Sequence, residues 1–210
     1  MATGTETPRI DRSTGAQLVE HARGIVEAIV LDKETPPPPS LSVCDQRRGV
    51  FVTLYRDGTL RGCIGRPRPE QPLSEALETA ATGATTSDPR FQPLSPDELD
   101  AVTVSVSVLT PPETLADPRP EDIDVGRDGV IVANGAQSGL LLPQVAVEEG
   151  WSAEELLRRT ARKAGLRPAA WQADETTVKR FSAQVFAEES PHGPVTVEDY
   201  TRNGTEESTD

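Results

Sequence analysis

The residues best suited to chemistry lie in one short stretch, Leu60-Arg61-Gly62-Cys63-Ile64-Gly65. A thiol between two glycines sits where a ligand or another backbone can approach closely. Arg61 offers a planar fork that matches a carboxylate or a phosphate. Cys63 is a nucleophile if neighbouring arginines favour its thiolate, and an inert packing residue if it is simply buried. Downstream, Asp88-Pro89-Arg90-Phe91 is either a turn pinned by its own Asp and Arg or a wall of the same site. If Arg61 and Arg90 converge on an anion, Asp88 and Glu148 supply two carboxylates for acid and base work. The candidate catalytic set is therefore Cys63, Asp88 and Glu148, and the candidate ligand-binding set is Arg61, Gly62, Gly65 and Arg90. Thr103, Ser105 and Ser107 share one strand face, and they either line a polar cavity or meet water.

Several chemistries are excluded by pattern. The sequence has no GxSxG elbow, no Walker loop and no GxGxxG. Two cysteines, Cys44 and Cys63, make no disulfide framework, and neither CxxC nor HExxH occurs. No metal and no cofactor is expected. The only histidines are His21, on a helix, and His192, near the C-terminus, so a Cys–His dyad is not favoured. No apolar run approaches the ~20 residues that span a bilayer, and the first residues lack an apolar signal core. A cytoplasmic protein is the expectation.

Charge is the next constraint. The net charge is −13, and the 21 basic residues comprise 18 Arg and three Lys. Excess acid with scarce lysine fits a chain kept hydrated in high salt. From Ala187 to Asp210 there are seven acids against one base. From Gln46 to Pro69 the sign reverses, with six arginines against Asp57 alone. That island is a positive patch or a chance run on a solvated face.

These residues must be carried by regular elements. Residues 1–12 read as flexible. Thr14 is placed to cap a helix with Gln17 as its partner, followed by Leu18, Val19, Ala22, Ile25, Val26 and Ile29 at helical spacing. Pro36 to Pro39 then forces an extended connection. Val50 to Tyr55 and Thr59 to Ile64 read as strands joined by an Asp57-Gly58 turn. A helix over Leu73 to Ala84 follows, then Ser95-Pro96-Asp97-Glu98 as a helix start and Val102 to Val108 as a strand with one buried face. Ile123 with Val125, and Val130 to Val132, read as further strands. Ser152, with Glu155, caps a helix that Gly165 ends. The order strand–strand–helix–strand thus recurs over about 49–108 and 129–186. This predicts a duplicated unit in one core, a mainly antiparallel sheet and an α+β class. Residues 189–210 read as an acidic disordered tail.

With LRGCIG, Ser87-Asp88-Pro89-Arg90-Phe91, the run Leu140 to Trp151 and Lys163 to Leu166 in this order, the chain resembles the AMMECR-type domain family. The resemblance covers about Gly15 to Glu188. It implies one domain over 13–188, built as a duplicated α+β unit around a barrel-like sheet with flanking helices. The family has no established activity. Its members often stand beside Memo-like and radical-SAM proteins, so such a protein is an implied partner.

Three functions compete: a protein binding or acting on a small anionic ligand around LRGCIG, a non-catalytic partner module, and an RNA-binding protein. The last ranks lowest, because a −13 chain without an aromatic RNP-type run is a poor phosphate tracker. The charge pattern also makes a prediction. Carboxylate self-repulsion is screened by salt, so the melting temperature should rise between ~0.1 M and several-molar KCl. An unchanged midpoint in thermal melts would rule out salt adaptation.

Overall fold

The first helix begins two residues earlier than its expected cap. Asp11 Oδ1 accepts the N–H groups of Ser13 and Thr14 at 2.9 Å each, so α1 runs Arg12–Val30 and Thr14 lies inside it. Asp and Thr are both good caps, and here the carboxylate also takes the Thr14 hydroxyl at 2.8 Å. Just before it, Ile10 is buried and its N–H donates to Gln184 Oε1. The computed structural model describes residues 9–198, so most of the expected flexible start lies outside the described residues.

The chain divides into two compact units, residues 9–111 with Gln184–Glu198, and Pro112–Ala183. The fold is α+β, with antiparallel strands flanked by helices. In the first unit, strands β1 (Val50–Arg56) and β2 (Thr59–Arg66) form a hairpin. Its turn needs left-handed backbone at both central positions, and Asp57 and Gly58 have φ of 51° and 73°. Helix α2 (Leu73–Thr86) and a 3₁₀ turn (Pro96–Ala101) lead to β3 (Val102–Leu109), which pairs with β1. The apolar stripe of α1 and the alanines of α2 pack with Val50, Val52, Leu54, Val104 and Val106 in one hydrophobic cluster.

The second unit holds β4 (Glu113–Leu115), β5 (Asp128–Asn134), β6 (Gln137–Leu141), α3 (Pro143–Glu148) and α4 (Ala153–Lys163). Strand β7 (Thr177–Glu188) supplies its first residues to this unit, where it pairs with β4 and β5. Ser152 caps α4 as expected, accepting the Glu155 N–H, and Gly165 follows with φ 77°. A second cluster forms from Val130, Val132, Leu156, Leu157, Trp171 and Val178. The apolar residues thus gather in two clusters, where the sequence pattern suggests one.

Three local readings change. Ile123 and Val125 form no strand: Asp128 Oδ2 accepts the Asp124 N–H at 3.0 Å and folds the segment into a turn. On β3 both faces are buried, so Ser105 and Ser107 do not meet water. They stand opposite Thr53 and Phe51 across β1. Finally, chain order continues beyond Glu189. β8 (Val195–Glu198) returns along Val185–Glu188, and of the expected tail residues 199–210 lie outside the described part. Among the described residues no helix is long and apolar enough to cross a membrane.

Glu188, counted by sequence among the acids of the tail, is buried and paired. Arg23 Nε donates to Glu188 Oε1 at 3.0 Å and Nη2 to Oε2, while Val104 N–H donates to Oε2 at 2.9 Å. The remaining Arg23 donors reach the carbonyl oxygens of Leu99 and Val102. Removing one partner of such a pair strands the other charge in low dielectric. Glu188→Ala should therefore lower the unfolding free energy by roughly 3–5 kcal/mol, measured by denaturant titration.

Candidate functional site

Strand β2 carries the LRGCIG run, and its register fixes which side chain points where. Gly62 and Ile64 pair with Leu54 and Val52, whereas Cys63 and Gly65 pair with Thr53 and Phe51. On the first face α2 lies flush against the strand: a Cβ on Gly62 would meet the Ala84 carbonyl oxygen, and one on Gly83 would meet Ile64. On the second face the Phe51 ring covers Gly65. Both motif glycines are thus close-packing positions, with protein atoms where a ligand-binding role would need open space.

Cys63 is half-buried, and Thr53 Oγ1 donates to its Sγ at 3.3 Å. Its backbone is held from outside the strand. The Cys63 N–H donates to Asp88 Oδ2 at 2.8 Å, and Arg90 Nη2 donates to the Cys63 carbonyl oxygen at 3.4 Å. Asp88 is 5% exposed and accepts three further bonds from Arg90: the backbone N–H and Nε on Oδ1, and Nη2 on Oδ2. The Arg90 side-chain bonds, assisted by the N–H groups of Cys63 and Arg90, hold the Asp88 carboxyl well below the usual carboxylate range. Such a group stays ionised and fits a strut better than a proton carrier.

Arg61 meets a partner that the sequence reading assigned only to helix capping. Its Nε and Nη2 form a two-pronged pair with Glu98 Oε1 and Oε2, both at 2.8 Å, and Nη1 and Nη2 reach the carbonyl oxygens of Gln92 and Pro93. Glu98 is also the partner of Ser95, whose N–H and hydroxyl donate to Oε2 at 3.1 and 3.0 Å. The capping role was legible; the use of the same carboxylate by Arg61, 37 positions away, had no local signal. Arg56 approaches Glu98 as well, at 3.3 Å. The guanidinium groups of Arg61 and Arg90 stand 5.9 and 5.5 Å from the Phe91 ring.

The first unit therefore brings together Arg61, Cys63, Asp88 and Arg90. Glu148, the last residue of α3, belongs to the second unit. A cavity of about 750 Å³ in the first unit is lined by α1, Pro36, Pro37 and His192. One of about 360 Å³ in the second unit is lined by residues including Asp117, Arg119 and Trp171. Neither includes any of the seven candidate residues. Among the described residues no group of three or more His, Cys, Asp or Glu is placed to hold a metal ion.

Comparison with known proteins finds a match to the AMMECR1 family model over residues 19–186. A Thermococcus kodakarensis protein, TK0174, is 50% identical over 197 residues, covering 89% of this chain and 96% of its own. A Methanothermobacter thermautotrophicus protein is 52% identical over 186 residues, covering 86% of this chain and 97% of its own. The crystal structure of the uncharacterized protein PH0010 from Pyrococcus horikoshii is similar with a TM-score of 0.83 at 46% identity, over 90% of this chain and 98% of that one.

Two predictions come from the Arg61–Glu98 pair. Arg61→Lys keeps the charge but loses the two-pronged geometry, so stability should fall by about 1–3 kcal/mol in chemical denaturation. The Arg61 hydrogen bonds, followed by those of Ser95, lower the Glu98 pKa from 4.5 to about 2. A depressed carboxylate stabilises the fold above its unfolded pKa, and that contribution is lost as pH falls toward the folded value. Melting temperature should therefore drop between about pH 4.5 and 2, and Glu98→Gln should reduce that drop while lowering the midpoint at neutral pH.

Proposed function

From the membership of this chain in the AMMECR1 family and from the geometry of the corner around Cys63, we propose that the protein binds a small anionic ligand there. Three arginines, Arg56, Arg61 and Arg90, gather around two largely buried carboxylates, Asp88 and Glu98, and Arg56 also reaches the exposed Asp57. The observation that carries the reading is the posture of Arg90. Its side chain is 53% exposed, yet buried Asp88 fixes its direction. A pre-set, solvent-facing guanidinium loses little freedom when an anion arrives. Cys63 lies beside it as the nucleophile of any covalent step.

A second reading is favoured by the same pairing. Asp88 and Glu98 are already engaged with arginines, which suits recognition more than turnover. On this reading the corner receives an acidic side chain of a Memo-like or radical-SAM protein, and the chain is a non-catalytic module. Calorimetric titration with di- and tricarboxylates separates the two. The first reading expects saturable binding that weakens about tenfold in Arg90→Ala and persists in Cys63→Ser. Absence of such binding, with co-elution of a partner that Arg90→Ala abolishes, overturns it in favour of the second.

A further inference from the structure

Arg48 is a buried cation without an internal counter-charge. The residue is 4% exposed, and Nε and Nη2 both donate to one neutral oxygen, Gln46 Oε1, at 3.1 and 2.8 Å. No carboxylate lies within ion-pair distance of it among the described residues. Every other buried arginine or carboxylate in the described chain is paired: Arg23 with Glu188, Asp88 with Arg90, Glu98 with Arg61, Asp128 with Arg127. Arginine does not shed its proton in proteins, so neutralisation by titration is closed to it. Burial alone pushes the Arg48 pKa down, with no carboxylate acting in the other direction. An amide oxygen satisfies two donors but leaves the charge unmet.

The surroundings hold that charge in place. The Gln46 carbonyl oxygen accepts the Leu73 N–H at 2.8 Å, and the Cys44 carbonyl oxygen accepts the Ser74 N–H at 3.1 Å. The segment that carries Gln46 is thus laid along the first turn of α2. The Arg48 Nη1 makes no hydrogen bond, yet the only fully buried unpartnered side-chain atom among the described residues is Gln144 Oε1, so Nη1 keeps access to solvent. Next to it in sequence, Arg47 likewise donates to a neutral oxygen, the Glu70 carbonyl. The acceptors of these two successive arginines are thus neutral oxygens.

We propose that Arg48 anchors a second anion site, distinct from the Cys63 corner, that takes a phosphate group through the side of its guanidinium left open by Gln46. A phosphate oxygen is a strong acceptor for a guanidinium N–H, and the single open Nη1 admits a small group rather than a polypeptide. The site does not depend on the reading of the Cys63 corner.

The test is titration of the full-length protein with inorganic phosphate at fixed ionic strength, read by calorimetry and thermal melting. Saturable binding with a raised melting temperature is expected. Arg48→Met should abolish that binding and, without phosphate, leave the melting temperature unchanged or higher, because an unpaired buried charge has gone. Gln46→Glu guards against a folding defect: it supplies an internal counter-charge, so it should weaken phosphate binding about tenfold or more and raise the phosphate-free melting temperature. Arg90→Ala should leave phosphate binding intact. Phosphate binding absent from the unaltered protein, or unchanged in Arg48→Met or Gln46→Glu, overturns the proposal. Loss in Arg90→Ala alone would assign the phosphate to the Cys63 corner instead.

Discussion

The buried pair of Arg23 with Glu188 is the constraint on which the first unit depends. It joins three stretches that are far apart in sequence: α1, the entry to β3 and the end of β7. Two buried charges in low dielectric are tolerable only when every donor and acceptor is used, and here the guanidinium also satisfies two carbonyl oxygens where the 3₁₀ turn passes into β3. That same turn begins with Ser95 and carries Glu98. The position of Glu98, and through it of Arg61, therefore rests on a pair elsewhere in the unit.

The LRGCIG corner reads as a packing device on which a surface is mounted. Gly62 lets the α2 backbone close on β2, and Gly65 makes room for the Phe51 ring. Once these contacts set the height of the strand, Arg61 can span to Glu98 and Asp88 can reach the Cys63 N–H. The polar contacts follow from the apolar ones. A motif of small residues around one thiol suits both packing and chemistry, which is why its sequence alone left both meanings open.

What the sequence made legible was local. The stripe of α1, the Asp57-Gly58 turn, the Ser95 and Ser152 helix starts and the valines of β3 all depend on neighbours within a few positions, and they appear where the pattern placed them. Long-range pairing was not legible. Nothing near Glu188 distinguishes it from the acids that follow, and only the return of β8 and the reach of Arg23 make it a core residue. The choice of Asp11 over Thr14 as the cap was also undecidable by residue type, since either side chain can accept the first amide protons. Arg48 looked like one member of a charge run, and its lack of a counter-ion is visible only in three dimensions.

Strand β2 ends the sheet order of the first unit, with β1 as its one strand neighbour among the described strands. An outermost strand offers its spare amide and carbonyl groups to any passing extended chain. At Cys63 both of those groups are already taken, the amide by Asp88 and the carbonyl by Arg90. Two side chains from one loop thus stand in for the absent neighbouring strand. The consequence is protection against self-association: this edge of the sheet is closed to templated strand addition at its midpoint, where both outward-facing backbone groups are already bonded.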